Sequence, residues 1–357
     1  MHAVESFSRR RFLQAAAVTG VSLAAAFPAA AQAPARKIRL GMDNFAVRAF
    51  GWKGRELVDY AAGLRLDTLF ITDLPALGSL QEADAAELRR HAADKGIEIL
   101  LGSWSICPTS KTFRKDWGTA EEHLALGLRL ARALGSPAFR VVLGSREDRK
   151  TPGGIQARIA DTVKVLKSQK SLAGDLGVKV AVENHAGDLT ADELVGLIEA
   201  AGKDWVGANM DSGNAAWTLE DPLASLERLG PYALTTSLRD SAIWETDQGA
   251  KVQWTAMGEG GVVNLKQYFA RYAELCPQVA VNIETISGFA VEFPYLEQAF
   301  WEVFPEKRAA DFARFIALAR KGRAIAQFDG NSRDRQKAEL ENSLRYCREV
   351  LGLGTRP

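Results

Sequence analysis

Short apolar runs rich in β-branched residues recur eight times along the chain, and longer amphipathic segments separate them. Each run has the length and composition of a buried strand, and each intervening segment has the length of a helix. Thr119 with Glu122, and Thr190 with Glu193, form the Thr-x-x-Glu pattern that caps a helix N-terminus. The predicted strands are 38–43, 66–72, 97–103, 138–143, 178–183, 206–211, 234–239 and 279–284.

This order of elements predicts repeated β–α–β units and a parallel sheet. Eight units in roughly 290 residues favour a closed (β/α)8 TIM barrel, an α/β fold that we assign to residues 37–322. A doubly wound open sheet is the alternative, but it usually carries a glycine-rich turn after its first strand, and Gly41-Met42-Asp43-Asn44 is not one. Residues 323–357 are predicted to be a C-terminal extension that contains one helix.

The first 33 residues are predicted to be a cleaved export signal that takes no part in the fold. Arg9 and Arg10 precede an uncharged, alanine-rich segment that ends in an A-x-A cleavage pattern at residues 31–33. The arginine pair is typical of twin-arginine signals. A transmembrane anchor is the alternative, but it needs about 20 strongly apolar residues, and small residues dilute this segment. We therefore expect a periplasmic protein with the twin-arginine export machinery as a partner.

The charge balance and the cysteine content exclude or disfavour several classes of protein. The chain has 45 Lys and Arg against 44 Asp and Glu, a net charge of +1, and 47% hydrophobic residues, which excludes intrinsic disorder. Without a basic excess, nucleic-acid binding driven by phosphate contacts is not expected. Three cysteines far apart form neither a disulfide framework nor a CxxC pair. The sequence leaves open whether the chain forms a homo-oligomer.

Three of the last four predicted strands end in an acidic residue, namely Glu183, Asp211 and Glu284. The carboxyl ends of the strands lie at one face of a barrel, where the active sites of this fold are found. Three carboxylates converging there repel each other by about 4 kcal/mol per pair at about 4 Å. A divalent cation, or pairing with Arg140 or Arg239, relieves this repulsion. The sequence does not decide between a bound divalent cation and ion pairs with arginine, and we prefer the cation.

The ordered motifs of the second half are Glu183-Asn184-His185, Asp211-x-Gly213-Asn214, Ser237-Leu238-Arg239-Asp240, Gly258-Glu259-Gly260 and Glu284. This set resembles the xylose-isomerase-like barrels, which include sugar-phosphate isomerases, ketose 3-epimerases and hydroxypyruvate isomerase. The resemblance implies one divalent metal ion, Mn or Mg, held by Glu183, Asp211 and Glu284. Ser237 takes the histidine position of the family's H-x-K/R-D pattern and is a weak fourth ligand. The alternative is a barrel that has lost its metal and changed its reaction.

The resemblance also implies a reaction, in which a proton next to a carbonyl of a sugar-like substrate is removed through a metal-stabilised enediolate. Glu183 and Glu284 are then the catalytic acid–base pair. Tryptophan rings suit the apolar faces and hydroxyl rims of sugars, although each ring could equally pack a loop. The predicted substrate-binding residues are His185, Asn184, Asn214, Trp104, Trp217, Trp254 and Arg239.

Two other functional classes remain open. One is a lyase or hydrolase-like enzyme that acts on an oxidised (keto) glycoside through the same carbanion chemistry. The other is a non-catalytic periplasmic sugar-binding barrel, which the serine at position 237 favours. Metal analysis and proton exchange distinguish an enzyme from a binding barrel, whereas isomerase, epimerase and lyase share the proton-abstraction step.

Overall fold

The computed structural model describes residues 37–327 and 329–356, and the predicted export signal lies outside them. Eight parallel strands form one sheet in the order β10-β1-β2-β3-β4-β5-β6-β7. Just beyond β7, Leu238 pairs in parallel with Ile283 of β10 and closes the ring. The predicted (β/α)8 barrel is therefore confirmed. Its strands are β1 Leu40–Asp43, β2 Thr68–Ile71, β3 Glu98–Ser105, β4 Ala138–Val142, β5 Lys179–Glu183, β6 Val206–Met210, β7 Ala233–Thr236 and β10 Val281–Ile283.

Helices follow the barrel strands and pack their apolar residues against the sheet. Both predicted capping boxes are present, with the Thr119 and Thr190 hydroxyls accepting from the backbone N–H three residues on. Gly135 ends α3 in the left-handed region at φ 76°, a conformation that suits glycine. The helices are α1 Gly54–Gly63, α2 Glu82–Asp94, α3 Ala120–Leu134, α4 Gly154–Ser168, α5 Lys170–Leu176, α6 Ala191–Ala201, α7 Ser212–Trp217, α8 Pro222–Leu229, α9 Leu265–Leu275, α10 Ala309–Ala319 and α11 Arg333–Glu349.

Over residues 37–327 and 329–356, five short 3-10 segments complete the helical structure. They are Asn44–Phe50, Leu74–Leu77, Arg146–Lys150, Gly230–Tyr232 and Gln298–Val303. Among the residues that the structure describes, no helix is both long enough and apolar enough to cross a bilayer.

A small antiparallel sheet that the sequence analysis did not predict adds to the barrel. It contains β8 Asp240–Thr246, β9 Gly249–Thr255 and β11 Ala290–Phe293, in the order β11-β9-β8. These strands come from the segments after β7 and β10, so they lie at the carboxyl-end face of the barrel. Ile243, Val252 and Phe293 pack with Phe315 of α10 in a second hydrophobic cluster. Trp254, expected in a loop, is held on β9.

The C-terminal extension packs on the barrel, and residues 37–357 form one compact unit. The predicted terminal helix is α11. Gln336 accepts a hydrogen bond from the backbone N–H of Ala49 at 2.9 Å. Near the C-terminus, the backbone N–H of Thr355 donates to Asp67 at 3.0 Å. These contacts join the last segment to the loops around β1 and β2.

Candidate active site

Four buried acidic residues stand at the carboxyl ends of barrel strands. Glu183 ends β5, Asp211 follows β6 and Glu284 follows β10, at the strand ends where the sequence analysis placed them. Asp43, the last residue of β1, is the fourth. The four residues are between 0% and 5% exposed, so water does not screen their charges.

Arg140 of β4 forms a buried ion pair with Glu183. Its Nε donates to Glu183 Oε2 at 2.6 Å, and its Nη2 lies 2.6 Å from the same oxygen. Its Nη1 donates to the Ser103 carbonyl oxygen at 2.8 Å. Asn209 Nδ2 also donates to Glu183 Oε2, at 2.7 Å. The charge of Glu183 is therefore balanced inside the protein, and its position is fixed by side chains of two neighbouring strands, β4 and β6.

A second buried guanidinium, that of Arg239, lies between Asp211 and Glu284. Its Nη2 donates to Asp211 Oδ2 and to Glu284 Oε2. The guanidinium carbon lies 4.3 Å from the ring centre of Trp254, and that ring stacks on Trp217 with 4.3 Å between centroids. We call Arg239, Trp254 and Trp217 the cation stack. Burial alone would lower the pKa of Arg239, but Asp211 and Glu284 raise it, so the guanidinium stays charged.

The predicted metal ligands are not arranged as a metal centre. Arg239 occupies the space between Asp211 and Glu284, and Arg140 already pairs with Glu183. The Ser237 hydroxyl donates to Asp43 Oδ2 at 3.2 Å. Within the described part of the chain, no group of three or more His, Cys, Asp or Glu side chains could hold a metal ion. The residues present therefore do not fit the divalent ion that we preferred, and pairing with arginine is the solution found.

The predicted polar substrate-binding residues divide into two kinds. The side chain of Asn184 donates to the Asp211 carbonyl oxygen and accepts from the Asp211 N–H, both at 2.9 Å, so it joins the ends of β5 and β6. Asn214 Nδ2 donates to Glu183 Oε1 at 3.3 Å, while its Oδ1 is buried without a partner. Asn184 is thus engaged with the backbone, whereas Asn214 has an oxygen free to accept from a ligand.

His185 and Trp104 lie together at the rim. Their ring centroids are 5.3 Å apart in an edge-to-face arrangement. His185 Nδ1 lies 2.7 Å from the Gly144 carbonyl oxygen, which makes Nδ1 the protonated nitrogen and leaves Nε2 as an acceptor. Burial and the nearby Arg140 guanidinium lower the pKa of His185 to about 4, so the ring is neutral at pH 7. Trp104 Nε1 donates to the Thr112 carbonyl oxygen at 2.9 Å.

Asp43 is the site residue that the sequence analysis missed. It accepts hydrogen bonds from the Phe45 N–H at 2.9 Å and the Thr72 hydroxyl at 2.8 Å. Burial raises the pKa of Asp43 to about 6, although these two donors oppose the shift. The signal was present, because Asp43 ends the first strand as Glu183 ends the fifth.

Burial and neighbouring carboxyl groups also act on Glu284. Burial is the largest effect and raises the pKa of Glu284 well above its ordinary range, while Arg239 opposes it. Asp43, Glu183 and Asp211 add repulsion that raises it further. Glu284 therefore keeps its proton to higher pH than a free carboxyl group does.

Several polar atoms around the cation stack are buried without a protein partner. They are Arg239 Nε and Nη1, Trp217 Nε1, Trp254 Nε1 and Asn214 Oδ1. An unpaired buried donor or acceptor costs about 1–3 kcal/mol. Such a concentration at one end of the barrel is typical of a site that pairs these groups with a polar ligand or with water.

The fold and this site define a (β/α)8 barrel with a buried acidic centre at the carboxyl ends of its strands. The model of the family described as xylose isomerase-like TIM barrel matches residues 46–288, and the chain belongs to that family. Among curated proteins, none matches the sequence.

Solved structures share the fold at low sequence identity. D-psicose 3-epimerase in the presence of D-fructose superposes with a TM-score of 0.59 at 17% identity, covering 88% of this chain and 100% of that one. D-psicose 3-epimerase with D-tagatose from Clostridium cellulolyticum H10 gives 0.56 at 14% identity, covering 88% and 99%. The IolI protein with a bound zinc atom gives 0.56 at 14% identity, covering 81% and 100%. At these identities the likeness concerns the fold.

Proposed function

We propose that the protein is an enzyme of the sugar isomerase/epimerase type, which moves a proton at a carbon next to the carbonyl of a sugar or sugar derivative. The observation that carries this proposal is the pair of buried carboxyl groups of Glu183 and Glu284. They come from separate strands, and each is bound to its own guanidinium. Membership of the xylose isomerase-like family and the fold shared with sugar 3-epimerases support the same reaction type.

The chemistry needs two carboxyl groups on different sides of one substrate carbon. One carboxylate removes the proton, and the electron pair of the C–H bond moves toward the carbonyl oxygen to give an enediolate. A proton returned to the opposite face yields an epimer. A proton returned to the adjacent carbon, with the hydroxyl proton passing from one oxygen to the other, yields an isomer. Glu183 and Glu284 are proposed for these steps, with His185 Nε2 and Asn214 Oδ1 accepting from substrate hydroxyls. The rings of Trp104, Trp217 and Trp254 are proposed to border the substrate.

Solvent deuterium exchange into sugars tests the step that all these reactions share. The purified protein is incubated in D2O with D-psicose, D-fructose, D-tagatose and L-ribulose, and carbon-bound deuterium is measured by NMR. We expect exchange into at least one ketose, reduced by about 10²–10⁴-fold in Glu183→Gln and in Glu284→Gln.

The control is Glu87→Gln, which removes an exposed carboxylate of a surface ion pair with Arg55 and should leave exchange unchanged. Sugar binding without exchange would replace the proposal by a binding barrel. Exchange that persists in both active-site variants would remove these two residues from the chemistry. A lyase acting on a keto glycoside would show deuterium-labelled cleavage products in the same spectra.

We also propose that the protein is exported by a twin-arginine signal and acts in the periplasm. The support is the arginine pair and the A-x-A pattern in residues 1–33. Cell fractionation of the full chain should find a shortened protein in the periplasm. The Arg9→Lys/Arg10→Lys variant should accumulate at full length in the cytoplasm, and equal export of both proteins would contradict this route.

A further inference from the structure

The guanidinium of Arg239 stands where carboxylates from two strands converge. Ser237 and Arg239 are two residues apart, so their side chains leave the extended chain on the same side. Nη2 of Arg239 reaches Asp211 after β6 and Glu284 after β10. A cation between these two carboxylates performs the electrostatic task that a bound divalent ion would perform, since it relieves their mutual repulsion.

The guanidinium is rigidly held. Its face lies on Trp254, which is itself stacked on Trp217 at an interplanar angle of 17°. Gly213 of α7 leaves the room for this arrangement, because a Cβ there would lie 2.5 Å from Arg239 Cγ and 2.9 Å from Trp254 Cδ1. The Ser212 hydroxyl binds both the N–H and the carbonyl oxygen of Arg239 at 3.0 and 2.5 Å. A preorganised charge of this kind needs no rearrangement when a substrate develops negative charge.

Two donors of the same guanidinium remain free. Nε and Nη1 of Arg239 are buried and have no hydrogen-bond partner, while Nη2 is fully used by Asp211 and Glu284. Buried guanidinium donors without acceptors are costly, and a carbonyl or enediolate oxygen of a substrate would satisfy one of them, with a neighbouring substrate oxygen as acceptor for the other. The side chain is 2% exposed, so water competes weakly for these donors.

The other groups needed for a divalent ion are engaged elsewhere. The Ser237 hydroxyl donates to Asp43 and accepts from Asn209 Nδ2 at 3.3 Å. Both oxygens of Glu183 are occupied, Oε2 by Arg140 and Asn209 and Oε1 by Asn214. Each of these carboxylates therefore already binds a hydrogen-bond donor or a guanidinium of the protein.

From this arrangement we infer that Arg239 takes both the place and the catalytic task of a divalent metal, so that the protein is a metal-independent member of its family. The inference has a structural half, that Arg239 holds the place of the metal, and a chemical half, that Arg239 stabilises the oxyanion. The chemical half rests on the proposed function. When the substrate C–H bond breaks, the proton goes to a carboxylate of the Glu183 and Glu284 pair. The C–H electron pair forms the new carbon–carbon double bond, and the carbonyl π pair moves to oxygen. One of the two unpaired guanidinium nitrogens of Arg239, Nε or Nη1, donates to that oxyanion.

Metal binding tests the structural half without any substrate. Mn²⁺ alone is titrated into the purified protein after EDTA treatment, with binding followed by calorimetry and by electron paramagnetic resonance. We expect no stoichiometric binding to the unmodified protein or to Ser237→His, because Arg239 still neutralises the carboxylates. The double variant Ser237→His/Arg239→Ala restores an imidazole, removes the guanidinium and should bind about one Mn²⁺. Stoichiometric Mn²⁺ binding by the unmodified protein would overturn the inference, and so would failure of the folded double variant to bind it.

Deuterium exchange into the same four ketoses tests the chemical half. Exchange should be unchanged by EDTA and by added Mn²⁺. It should fall by about 10²–10³-fold in Arg239→Met, which removes the oxyanion donors, and by less in Arg239→Lys, which keeps a positive charge. Arg55→Met, at an exposed ion pair, is the matched control.

The two proposals fail in different ways. Exchange that disappears with EDTA and returns with Mn²⁺ would leave the proposed function intact and refute the role of Arg239. The absence of exchange into every sugar would refute the proposed function, whereas the Mn²⁺ titration would still decide whether Arg239 holds the place of the metal. Because Arg239→Met also leaves two carboxylates unpaired, its fold is checked by circular dichroism, and the EDTA experiment on the unmodified protein does not depend on it.

Discussion

The buried ion pair of Arg140 and Glu183 predicts a strong energetic coupling that a double-mutant cycle can measure. The two side chains are 4% and 0% exposed, and two guanidinium nitrogens lie 2.6 Å from one carboxylate oxygen. Removing one partner of such a pair leaves a buried charge without compensation and costs about 3–5 kcal/mol. Arg140→Met and Glu183→Gln should each lose that amount of unfolding free energy.

The double variant Arg140→Met/Glu183→Gln should be no less stable than either single variant. Met keeps the apolar stem of Arg140, and the single amide oxygen of Gln keeps an acceptor for Asn209, the nearer of the two amide donors to Glu183. Additivity would give a loss of about 6–10 kcal/mol, so the expected coupling energy is at least about 3 kcal/mol. If the two buried side chains did not stabilise each other, the coupling energy would be close to zero.

The assay is guanidinium chloride unfolding at pH 7 in EDTA, followed by the fluorescence of the eight tryptophans and by circular dichroism. The matched control is the cycle of Arg55→Met and Glu87→Gln, an exposed pair at 2.9 Å, for which coupling below about 1 kcal/mol is expected. Losses that simply add in the double variant would refute the argument that Arg140 is what makes the buried charge of Glu183 tolerable.

Three further predictions concern other parts of the molecule. Burial raises the pKa of Asp240 from 3.8 to about 7, so the folded state loses stability as the pH rises from about 4 to 7. Asp240→Asn should flatten that decline in unfolding midpoints measured across this range, and an unchanged slope would contradict the shift. A Cβ at Gly127 would lie 2.0 Å from the ring of Phe139, so Gly127→Ala should cost about 1–3 kcal/mol in chemical denaturation. Gly196→Ala in α6, with nothing within 4 Å, should be neutral or stabilise by up to about 1 kcal/mol, and equal effects at both glycines would refute the packing argument. Gly213→Ala should disturb the cation stack, seen as a changed near-ultraviolet circular dichroism spectrum with unchanged far-ultraviolet signal, and an unaltered near-ultraviolet spectrum would show that the space is not needed.

The barrel could be predicted because its signals are local. Each strand is a short apolar run, and caps such as those of Thr119 and Thr190 mark where helices begin. The hairpin of β8 and β9 was missed for two reasons. Eight units already accounted for the barrel, and its strands carry polar residues such as Glu245 and Lys251 that interrupt an apolar run.

The position of the acidic residues was also predictable, because a strand end is a local property. The partners of these residues were not, since they depend on how far a side chain extends across neighbouring strands. Arg140 lies opposite Ala181 in the strand register, yet its side chain extends along the sheet to Glu183, two residues further on. The length and direction of a side chain such as that of Arg140 therefore decide whether a carboxylate binds a metal ion or a guanidinium. The assignment of strands from the sequence does not give this information.

The balance of charge at the barrel mouth connects the structure with proton transfer. The carboxyl groups of Asp43, Glu183, Asp211 and Glu284 face two guanidinium groups inside a region that solvent does not screen. Burial raises the pKa of Asp43 to about 6 and the pKa of Glu284 well above its ordinary value, so these two acids keep their protons to higher pH than free carboxyl groups do. An enzyme that takes a proton with one carboxyl group and returns it with another must begin each turnover with one ionised and one protonated. In the proposed reaction, the raised pKa of Glu284 favours its role as the protonated partner, and the ion pair with Arg140 favours the carboxylate form of Glu183 as its counterpart.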